Sequence, residues 1–400
     1  MGTTGTSTST TSTVGVPWRS PTLFAILAAT LMTPLDVPLI SPALPQIQST
    51  FGVSAPQAGS FITAYAVPGI LLGPVIGALA DRYSRRYVLS GCLVVFGTAG
   101  TAIAFTNDFT LALGLRVLQG CAAGSILSAL AMTVVGDRYE GPQHDSVMGV
   151  TSAMLSLGTA IYPVVGGFLA ARAWNAPFLV YGLALPVAGI VFFALDGAAS
   201  SASTTDRGYV REALAVIPTH RAVGLYGVMF LSFTLLFGGL YTVLPFYLSE
   251  TFELSAAAVG AVTSTVLLVT GIVSTQNGKL TVRASVTTLL GTGFTCYALG
   301  LLGVAFAPSF AILVFSLCVF GVGSGLVTPT LFGSVSAIAP DHVRAGVMSL
   351  QTTTIGVSQV AGPVLFTFVA GAVGYRGSLL IASGAAVFGT AALGVVNLNT

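Results

Sequence analysis

The sequence predicts an all-α integral membrane protein with twelve transmembrane helices, arranged as two six-helix bundles that a pseudo-two-fold axis relates. Three observations carry this prediction. The chain has very few charged residues, it contains twelve long apolar runs, and its second half repeats features of its first half at a nearly constant offset.

The composition indicates that lipid is the solvent of this chain. Charged residues make up 6% of the 400 residues and hydrophobic residues 54%, whereas ordinary soluble proteins carry about 25% charged residues. A soluble fold of this size needs a charged surface that these residues cannot supply. The formal net charge of +2 gives no basic face, so a nucleic-acid partner is not expected.

Apolar runs long enough to cross a bilayer, which takes about 20 residues per helix, number twelve. They cover residues 22–46, 56–80, 87–105, 109–135, 146–171, 177–195, 222–248, 256–278, 284–306, 309–336, 345–372 and 377–396. Several runs contain prolines, which neighbouring helices can accommodate in lipid by satisfying the freed carbonyls.

The polar stretches divide the chain into four parts. Residues 1–21 form a flexible cytoplasmic tail without the basic region of a signal peptide, and residues 22–195 form an N-terminal six-helix bundle. A central cytoplasmic connector, 196–221, ends in a segment expected to form a short interfacial helix, and residues 222–396 form the C-terminal bundle.

The distribution of arginine and lysine predicts the orientation. With the N-terminus inside, eleven basic residues lie in inner segments and two, Arg172 and Arg376, in outer ones. The inner ones are Arg19, Arg82, Arg85, Arg86, Arg138, Arg207, Arg211, Arg221, Lys279, Arg283 and Arg344. The positive-inside rule therefore places both termini in the cytoplasm, and we expect the plasma membrane as the location.

The two halves repeat at an offset of 200 or 201 residues in four separate regions. The matching pairs are Leu44-Pro45 with Leu244-Pro245, Ser54 with Ser255, Gly59 with Gly260, Gly120 with Gly321, Val147-Met148 with Val347-Met348, and Pro163 with Pro363. Two six-helix repeats in the same orientation are typical of secondary transporters that bind substrate between the halves near mid-membrane. A channel or a membrane enzyme would explain this duplication less directly.

Catalytic and metal chemistry is not expected. Cys92, Cys121, Cys296 and Cys318 each lie alone within an apolar run, as small apolar core residues do, and the histidines lie apart in polar connectors rather than in a ligand cluster. The sequence has no phosphate-binding loop of the GxxxxGK type. We therefore expect no enzyme activity, no metal and no cofactor.

The segment GALADRYSRR at 77–86 lies between the second and third predicted spans. It resembles the signature loop of the major facilitator superfamily, with Ser84 where that family usually has glycine. RVLQG at 116–120 is similar to an element of the family's fourth span. LDVPLISPALP at 35–45 and GTAIYPVVGG at 158–167 resemble elements of its twelve-span drug:proton antiporters, with Tyr162 replacing a glycine. This resemblance covers residues 20–396 and implies proton-coupled efflux.

Asp36 and Arg116 are the two ionisable residues that lie well inside predicted spans, where charges are expensive and usually mark a pathway or relay. Their depths differ by a few Å at a rise of 1.5 Å per residue, so we expect the arginine to reach the carboxylate. Proton coupling by this pair is the favoured interpretation. A purely structural ion pair, or an Arg116 side chain that snorkels outward, is the alternative.

The family resemblance also assigns roles to two motifs. The signature loop is expected to latch the halves in the outward-facing state, with Asp81 facing the N-terminus of span eleven and Arg85 or Arg86 pairing with Asp137. The latch residues are Gly77, Asp81, Arg82, Arg85, Arg86 and Asp137. A bent, closely packed fifth span is expected at Gly158, Pro163, Gly166 and Gly167, with ordinary packing as the alternative.

Aromatic and amide side chains inside spans are candidates for a substrate cavity. Span seven carries an aromatic stripe at Phe230, Phe233, Phe237 and Tyr241, which lines an apolar cavity or else packs against lipid or other helices. Gln119, Gln351 and Gln359 are polar groups within spans that contact substrate or bond a neighbouring helix.

These features favour a secondary transporter that exports small lipophilic or drug-like compounds in exchange for protons by alternating access. The expected partners are a small-molecule substrate, protons and membrane lipid, and the expected state is a monomer. A metabolite transporter of the same fold, for a sugar, an amino acid or an organic anion, is the first alternative. A membrane sensor that does not transport is the second.

Overall fold

The computed structural model describes residues 16–195, 219–338 and 344–395. Throughout these ranges the chain forms helices and short connections, without a strand, because a bilayer-spanning chain must satisfy its backbone hydrogen bonds within each segment. The all-helical class is confirmed. Residues 1–15 of the predicted tail and 196–218 of the central connector, with most of its expected interfacial helix, lie outside the described residues.

The helices follow the predicted spans closely. Helix 1 is Pro21–Leu35 with Val37–Phe51, helix 2 is Ala55–Arg82, helix 3 is Arg85–Phe105, helix 4 is Phe109–Gly120 with Gly124–Arg138, helix 5 is Gly141–Ala170 and helix 6 is Ala176–Ala194. Helix 7 is Ala222–Thr251, helix 8 is Ala256–Thr281, helix 9 is Val286–Ala305 and helix 10 is Phe310–Ala337, and Gly374 divides Arg344–Val395 into helices 11 and 12.

By length and apolarity, eight helices of the described chain can cross a membrane, or nine when the bent pair of helix 1 counts as one span. The predicted twelve also requires helix 2, the interrupted helix 4, and a division at Gly374, whose φ of 74° breaks the helical run. The count of twelve and the bundle boundaries therefore remain predictions.

The repeat is visible in the geometry as well as in the sequence. Ser54 and Ser255 both cap the N-termini of their helices with the side-chain oxygen. A side chain at Gly120 would strike the carbonyl of Tyr65, and one at Gly321 would strike the carbonyl of Val266. The two glycines are 201 residues apart in sequence, and so are the two residues whose carbonyls they approach. The same close helix crossing is therefore built once in each half.

The two ends of the molecule are defined by contacts between connections. Near the chain termini, Thr22 donates to the carbonyl of Ala194 over 3.1 Å, and we call this the terminal end. At the other end the Phe51 ring lies 4.8 Å from that of Trp174, and we call this the distal end. Most of each half packs into its own apolar core, and Tyr241, Phe246 and Ala256 of the second half join the first core.

Candidate functional site

Helix 1 breaks at Asp36. The two parts of the helix meet at 49°, and Asp36 itself has ψ of −82°. Pro34 and Pro38 flank the break and have no amide hydrogens, so carbonyls around the break lack their intrahelical donors. Two tyrosine hydroxyls donate to this region, Tyr162 to the carbonyl of Leu31 and Tyr181 to the carbonyl of Leu35, each over 2.7 Å.

The carboxylate of Asp36 bonds across the boundary between the halves. Its Oδ2 accepts a hydrogen bond of 3.2 Å from Nε2 of Gln359 on helix 11. A second bond between the halves lies one turn further along helix 1, where the hydroxyl of Ser41 donates to the carbonyl of Tyr241 over 2.6 Å. The titratable group of helix 1 is thus held by the opposite half of the molecule.

The side chain of Arg116 is buried inside the first half and is surrounded by hydrogen-bonding groups. The residue is 0% exposed. Its Nε donates to the carbonyl of Phe61 over 3.1 Å, and its Nη1 donates to Gln119 over 2.7 Å and to the Tyr181 hydroxyl over 3.2 Å. The guanidinium also lies 4.7 Å from the centre of the Tyr65 ring, where a desolvated cation is attracted to the ring face.

The expected ion pair between Asp36 and Arg116 is absent from the described residues, which corrects the sequence prediction. Tyr181 stands between them, since its hydroxyl accepts from Arg116 and donates to the backbone of Leu35 and Asp36. The outward snorkelling of Arg116 is also wrong, because the guanidinium is held inside. Its Nη2 has no hydrogen-bond partner among the residues that the structure describes.

Gln119 bonds Arg116 inside the first half, and its expected place in a substrate cavity stays a prediction. Its side chain is fully buried and its Oε1 is occupied by Arg116. Depth along a helix was predictable, but the direction of the side chain around the helix axis was not. Gln119 therefore helps to hold the guanidinium of Arg116 in place.

Aromatic rings line helix 7 as a ladder. Phe233 stacks on Phe237 at 6.2 Å, Phe237 lies 6.1 Å from Tyr241, and Phe332 of helix 10 stacks on Phe233 at 6.2 Å. Helix 7 widens into a π-helix over Leu235–Val243 within this stretch. We call these four rings the aromatic ladder, and its Tyr241 end lies in the helix segment that Ser41 contacts.

The remaining cavity candidates take different positions. Gln359 is half-buried and bonds Asp36. Gln351, also on helix 11, is buried at 9% exposure, and its Oε1 has no partner within the described chain. Phe230 is half-buried at the end of the ladder nearer the terminal end.

The glycines of helix 5 bring backbones together at two interfaces. A side chain at Gly158 would meet Pro34 at 2.8 Å, and one at Gly166 would strike the carbonyl of Leu39, so both face helix 1. Gly167 faces the carbonyl of Ala256 on helix 8. Helix 5 remains continuous through Pro163. The motif therefore packs helix 5 against helix 1 and against the opposite half near the distal end.

The signature loop lies at the terminal end. Arg85 forms an ion pair with Asp137, as the sequence predicted, and donates to the carbonyl of Thr133 over 3.1 Å. Arg86 lies 3.9 Å from the centre of the Phe192 ring. Gly77 and Arg82 are exposed. The side chain of Asp81 and the residues just before helix 11 lie outside the described part, so the expected latch contact stays a prediction.

Sequence patterns gave no sign that Tyr181 or Phe332 belongs to the site. Each is a single aromatic residue within an apolar run, where most such residues are ordinary packing. Tyr162, which replaces a motif glycine, lies outside these groups, and its hydroxyl donates to helix 1.

The molecule has two repeated helical halves. Asp36 lies in mid-helix between the halves, and Arg116 lies in mid-helix within the first half. These features define a polytopic membrane transporter rather than an enzyme. The chain belongs to the Major Facilitator Superfamily, whose family model matches residues 26–258 and 225–398.

Curated relatives include several exporters. The chain is 28% identical over 163 residues to the "Bacillibactin exporter" of Bacillus subtilis, a match that covers 39% of this chain and 40% of that protein. It is 25% identical over 351 residues to the "Tetracycline resistance protein, class B" of Escherichia coli, covering 86% and 87%. A "Hexuronate transporter" of Bacillus subtilis is 29% identical over 163 residues, covering 40% and 38%. The first of these matches spans less than half the relative's length.

Solved structures share the fold. A point mutant of the nucleoside transporter NupG matches with a TM-score of 0.80 at 12% identity, over 94% of this chain and 100% of that chain. A bacterial homologue of the human lysosomal transporter Spinster, in an inward-facing and unoccupied conformation, matches with a TM-score of 0.79 at 16% identity, over 95% and 97%.

The four cysteines lie apart from these groups, and all are free. Cys92 is buried and the other three are half-buried, with no hydrogen bond to the residues of the site. We expect a variant with alanine or serine at all four positions to transport as wild type does. Transport per folded protein, normalised to the monodisperse fraction, measures this, and a collapse of activity in well-folded protein would show that a thiol is needed.

Proposed function

We propose that this transporter exports small lipophilic or drug-like compounds in exchange for protons by alternating access. The observation that carries the proposal is the placement of Asp36. A carboxylate at a break in helix 1 accepts its hydrogen bond from Gln359 of the opposite half, so a change in its protonation acts directly on the contact between the halves.

The proton step follows from the partners of this carboxylate. With the distal end closed, Asp36 has the amide of Gln359 as its donor. Opening the distal end separates helix 1 from helix 11 and removes that donor, which favours the protonated carboxylate, so Asp36 takes up a proton from outside. Arg116 retains an unused Nη2, and a small shift of helix 1 or helix 4 as substrate enters from the cytoplasm would offer it to the carboxylate. An approaching cation favours the charged carboxylate and expels the proton into the cytoplasm.

The aromatic ladder suits the proposed substrate class. Phe233 and Tyr241 are 8% and 3% exposed, so their ring faces are available only when neighbouring helices move apart. Stacked ring faces bind flat apolar molecules through dispersion and attract organic cations when water is excluded. The relatives whose names include export or tetracycline resistance support efflux over uptake.

Proteoliposomes test the proposed function. Purified wild-type protein is reconstituted, a pH gradient is imposed, and accumulation of ethidium or tetracycline is followed with and without a protonophore. We expect accumulation against the concentration gradient that the protonophore abolishes. Accumulation that persists without a proton gradient would contradict proton exchange.

Metabolite transport is the second candidate, and the similarity to a hexuronate transporter supports it. An anionic metabolite requires an accessible cation, whereas Arg116 is enclosed by protein in this state. A thermal-shift panel of drugs, sugars, amino acids and hexuronates at two pH values separates the two candidates. Stabilisation by hexuronates alone would favour the metabolite transporter.

The proposed setting is the plasma membrane, with a monomeric chain and both termini in the cytoplasm. The basic residues of the terminal end support this orientation, because Arg82, Arg138, Lys279 and Arg283 all lie there and are exposed. The terminal end then faces the cytoplasm, and the distal end faces outward.

Asp81→Asn is expected to leave the protein folded but to reduce the outward-facing population. The signature loop would close the terminal end by placing the Asp81 carboxylate against the N-terminus of helix 11, where backbone donors favour an anion. Spin-label distances across the terminal end should lengthen on average. Asp145→Asn, an exposed carboxylate of the same end, is the matched control. Unchanged distances in Asp81→Asn would remove the latch.

A further inference from the structure

The hydroxyl of Tyr181 bonds both Arg116 and the break in helix 1. It accepts from Nη1 of Arg116 over 3.2 Å and donates to the carbonyl of Leu35 over 2.7 Å, with the carbonyl of Asp36 at 3.3 Å. The arginine has no acceptor capacity, so the tyrosine proton must point to helix 1. The direction of both bonds is therefore fixed.

The rest of Tyr181 is rigidly packed. The residue is fully buried, and its ring contacts Phe96 at 5.3 Å and Phe178 at 6.2 Å. A ring held in this way cannot follow helix 1 freely. Movement of the break therefore lengthens the bond to Leu35, while the same hydroxyl keeps the guanidinium in place.

We propose that Tyr181 is a positioning residue for proton coupling: its hydroxyl holds the guanidinium of Arg116 in the packed core of the first half, so that movement of the helix 1 break changes the separation between Arg116 and Asp36. This role rests on the proposed proton exchange at Asp36. Without the hydroxyl, Arg116 keeps only its bonds to Phe61 and Gln119, and its guanidinium is freer to follow the carboxylate of Asp36. The separation then changes less when the break moves, and the protonation of Asp36 is uncoupled from the movement of the halves.

Tyr162 supplies a matched control. Its hydroxyl also donates over 2.7 Å to a carbonyl of helix 1, that of Leu31, and the residue is also largely buried at 8% exposure. It has no bond to Arg116. Tyr181→Phe and Tyr162→Phe therefore each remove one hydroxyl bond to the same helix, and only Tyr181→Phe cuts the link to the arginine.

The readout needs no substrate. Spin labels at Ala171→Cys and Thr251→Cys, exposed positions of the two halves at the distal end, report the distance between the halves in protein that lacks the native cysteines. Distances are measured from pH 5 to pH 9. Besides Tyr181 and Tyr162, the charged or titratable groups of the described residues that face the site are Asp36, Arg116, Tyr65 and Tyr241. Asp36→Asn identifies the part of the response that belongs to the carboxylate.

We expect the wild-type ratio of closed to open distal ends to change about tenfold across this range, and Asp36→Asn to abolish the change. Tyr162→Phe should respond as wild type does. Tyr181→Phe should respond less than about twofold, because the buried bond to a charged group that it loses is worth a ratio of about tenfold or more. Both variants keep their rings, and melting temperatures close to the wild-type value check that both fold.

The possible failures are distinct. A wild-type protein without a pH response contradicts coupling through Asp36 and this role with it. A wild-type response that Asp36→Asn removes, while Tyr181→Phe and Tyr162→Phe both retain it, overturns the role of Tyr181 alone. If both tyrosine variants lose the pH response equally, bonds to helix 1 matter in general, and the specific role of Tyr181 is overturned.

Discussion

Gly260→Val will prevent the distal end from closing. Gly260 of helix 8 lies against the carbonyl of Pro163 and the backbone of Gly167 on helix 5, and a side chain would strike both. Backbone atoms cannot give way as a flexible side chain does, and overpacking of this kind costs about 1–3 kcal/mol. The ratio of closed to open distal ends should fall by roughly five- to 150-fold, and transport should fall with it.

Gly271→Val is the matched control for this prediction. It lies on the same helix, and a side chain there meets no atom within 4 Å. Both variants carry the same cost of a β-branched residue in a helix, so their difference isolates the contact between the halves. Distances between spin labels at the distal end measure the outcome. Equal distance distributions in the two variants would show that the contact between helices 5 and 8 does not determine closure.

Asp36→Asn will abolish proton-driven accumulation of substrate and leave downhill exchange in place. Asparagine keeps the size of the side chain and an oxygen that can accept from Gln359, so the bond that joins the halves can persist. It cannot gain or lose a proton. Accumulation of ethidium in proteoliposomes with an imposed pH gradient should therefore fall to the level of protein-free vesicles, while exchange without a gradient stays within about threefold of wild type.

Ser41→Ala is the control for Asp36→Asn. It also removes a polar group that bonds across the halves, the hydroxyl that donates to the carbonyl of Tyr241, but this group does not titrate. We expect Ser41→Ala to lower accumulation and exchange by the same factor. Accumulation against the gradient by Asp36→Asn would assign proton coupling to another residue, or would contradict it.

Much of the fold was predictable because bilayer thickness and apolarity determine helix positions. The twelve runs anticipated the helices to within a few residues, and the repeat anticipated the matching crossings at Gly120 and Gly321. The bend at Asp36 was harder to predict, since prolines at 34 and 38 allow a break in the helix without determining its angle.

The site was predictable in its residue types and not in its contacts. Asp36 and Arg116 were recognisable because charge is rare inside a membrane, but depth along a helix does not specify which face a side chain occupies. The carboxylate consequently meets Gln359, more than 300 residues away in sequence, instead of the arginine. Tyr181 carried no signal, because one tyrosine in an apolar span resembles any packed ring.

Proton release on substrate binding tests the central claim most directly. Ethidium is added to purified protein in weakly buffered detergent solution near neutral pH, and the released protons are counted with a pH indicator against bound ethidium. The account predicts about one proton released per ethidium bound by wild type and none by Asp36→Asn. Ethidium binding by wild type without proton release, or equal release by both proteins, would contradict proton exchange at Asp36.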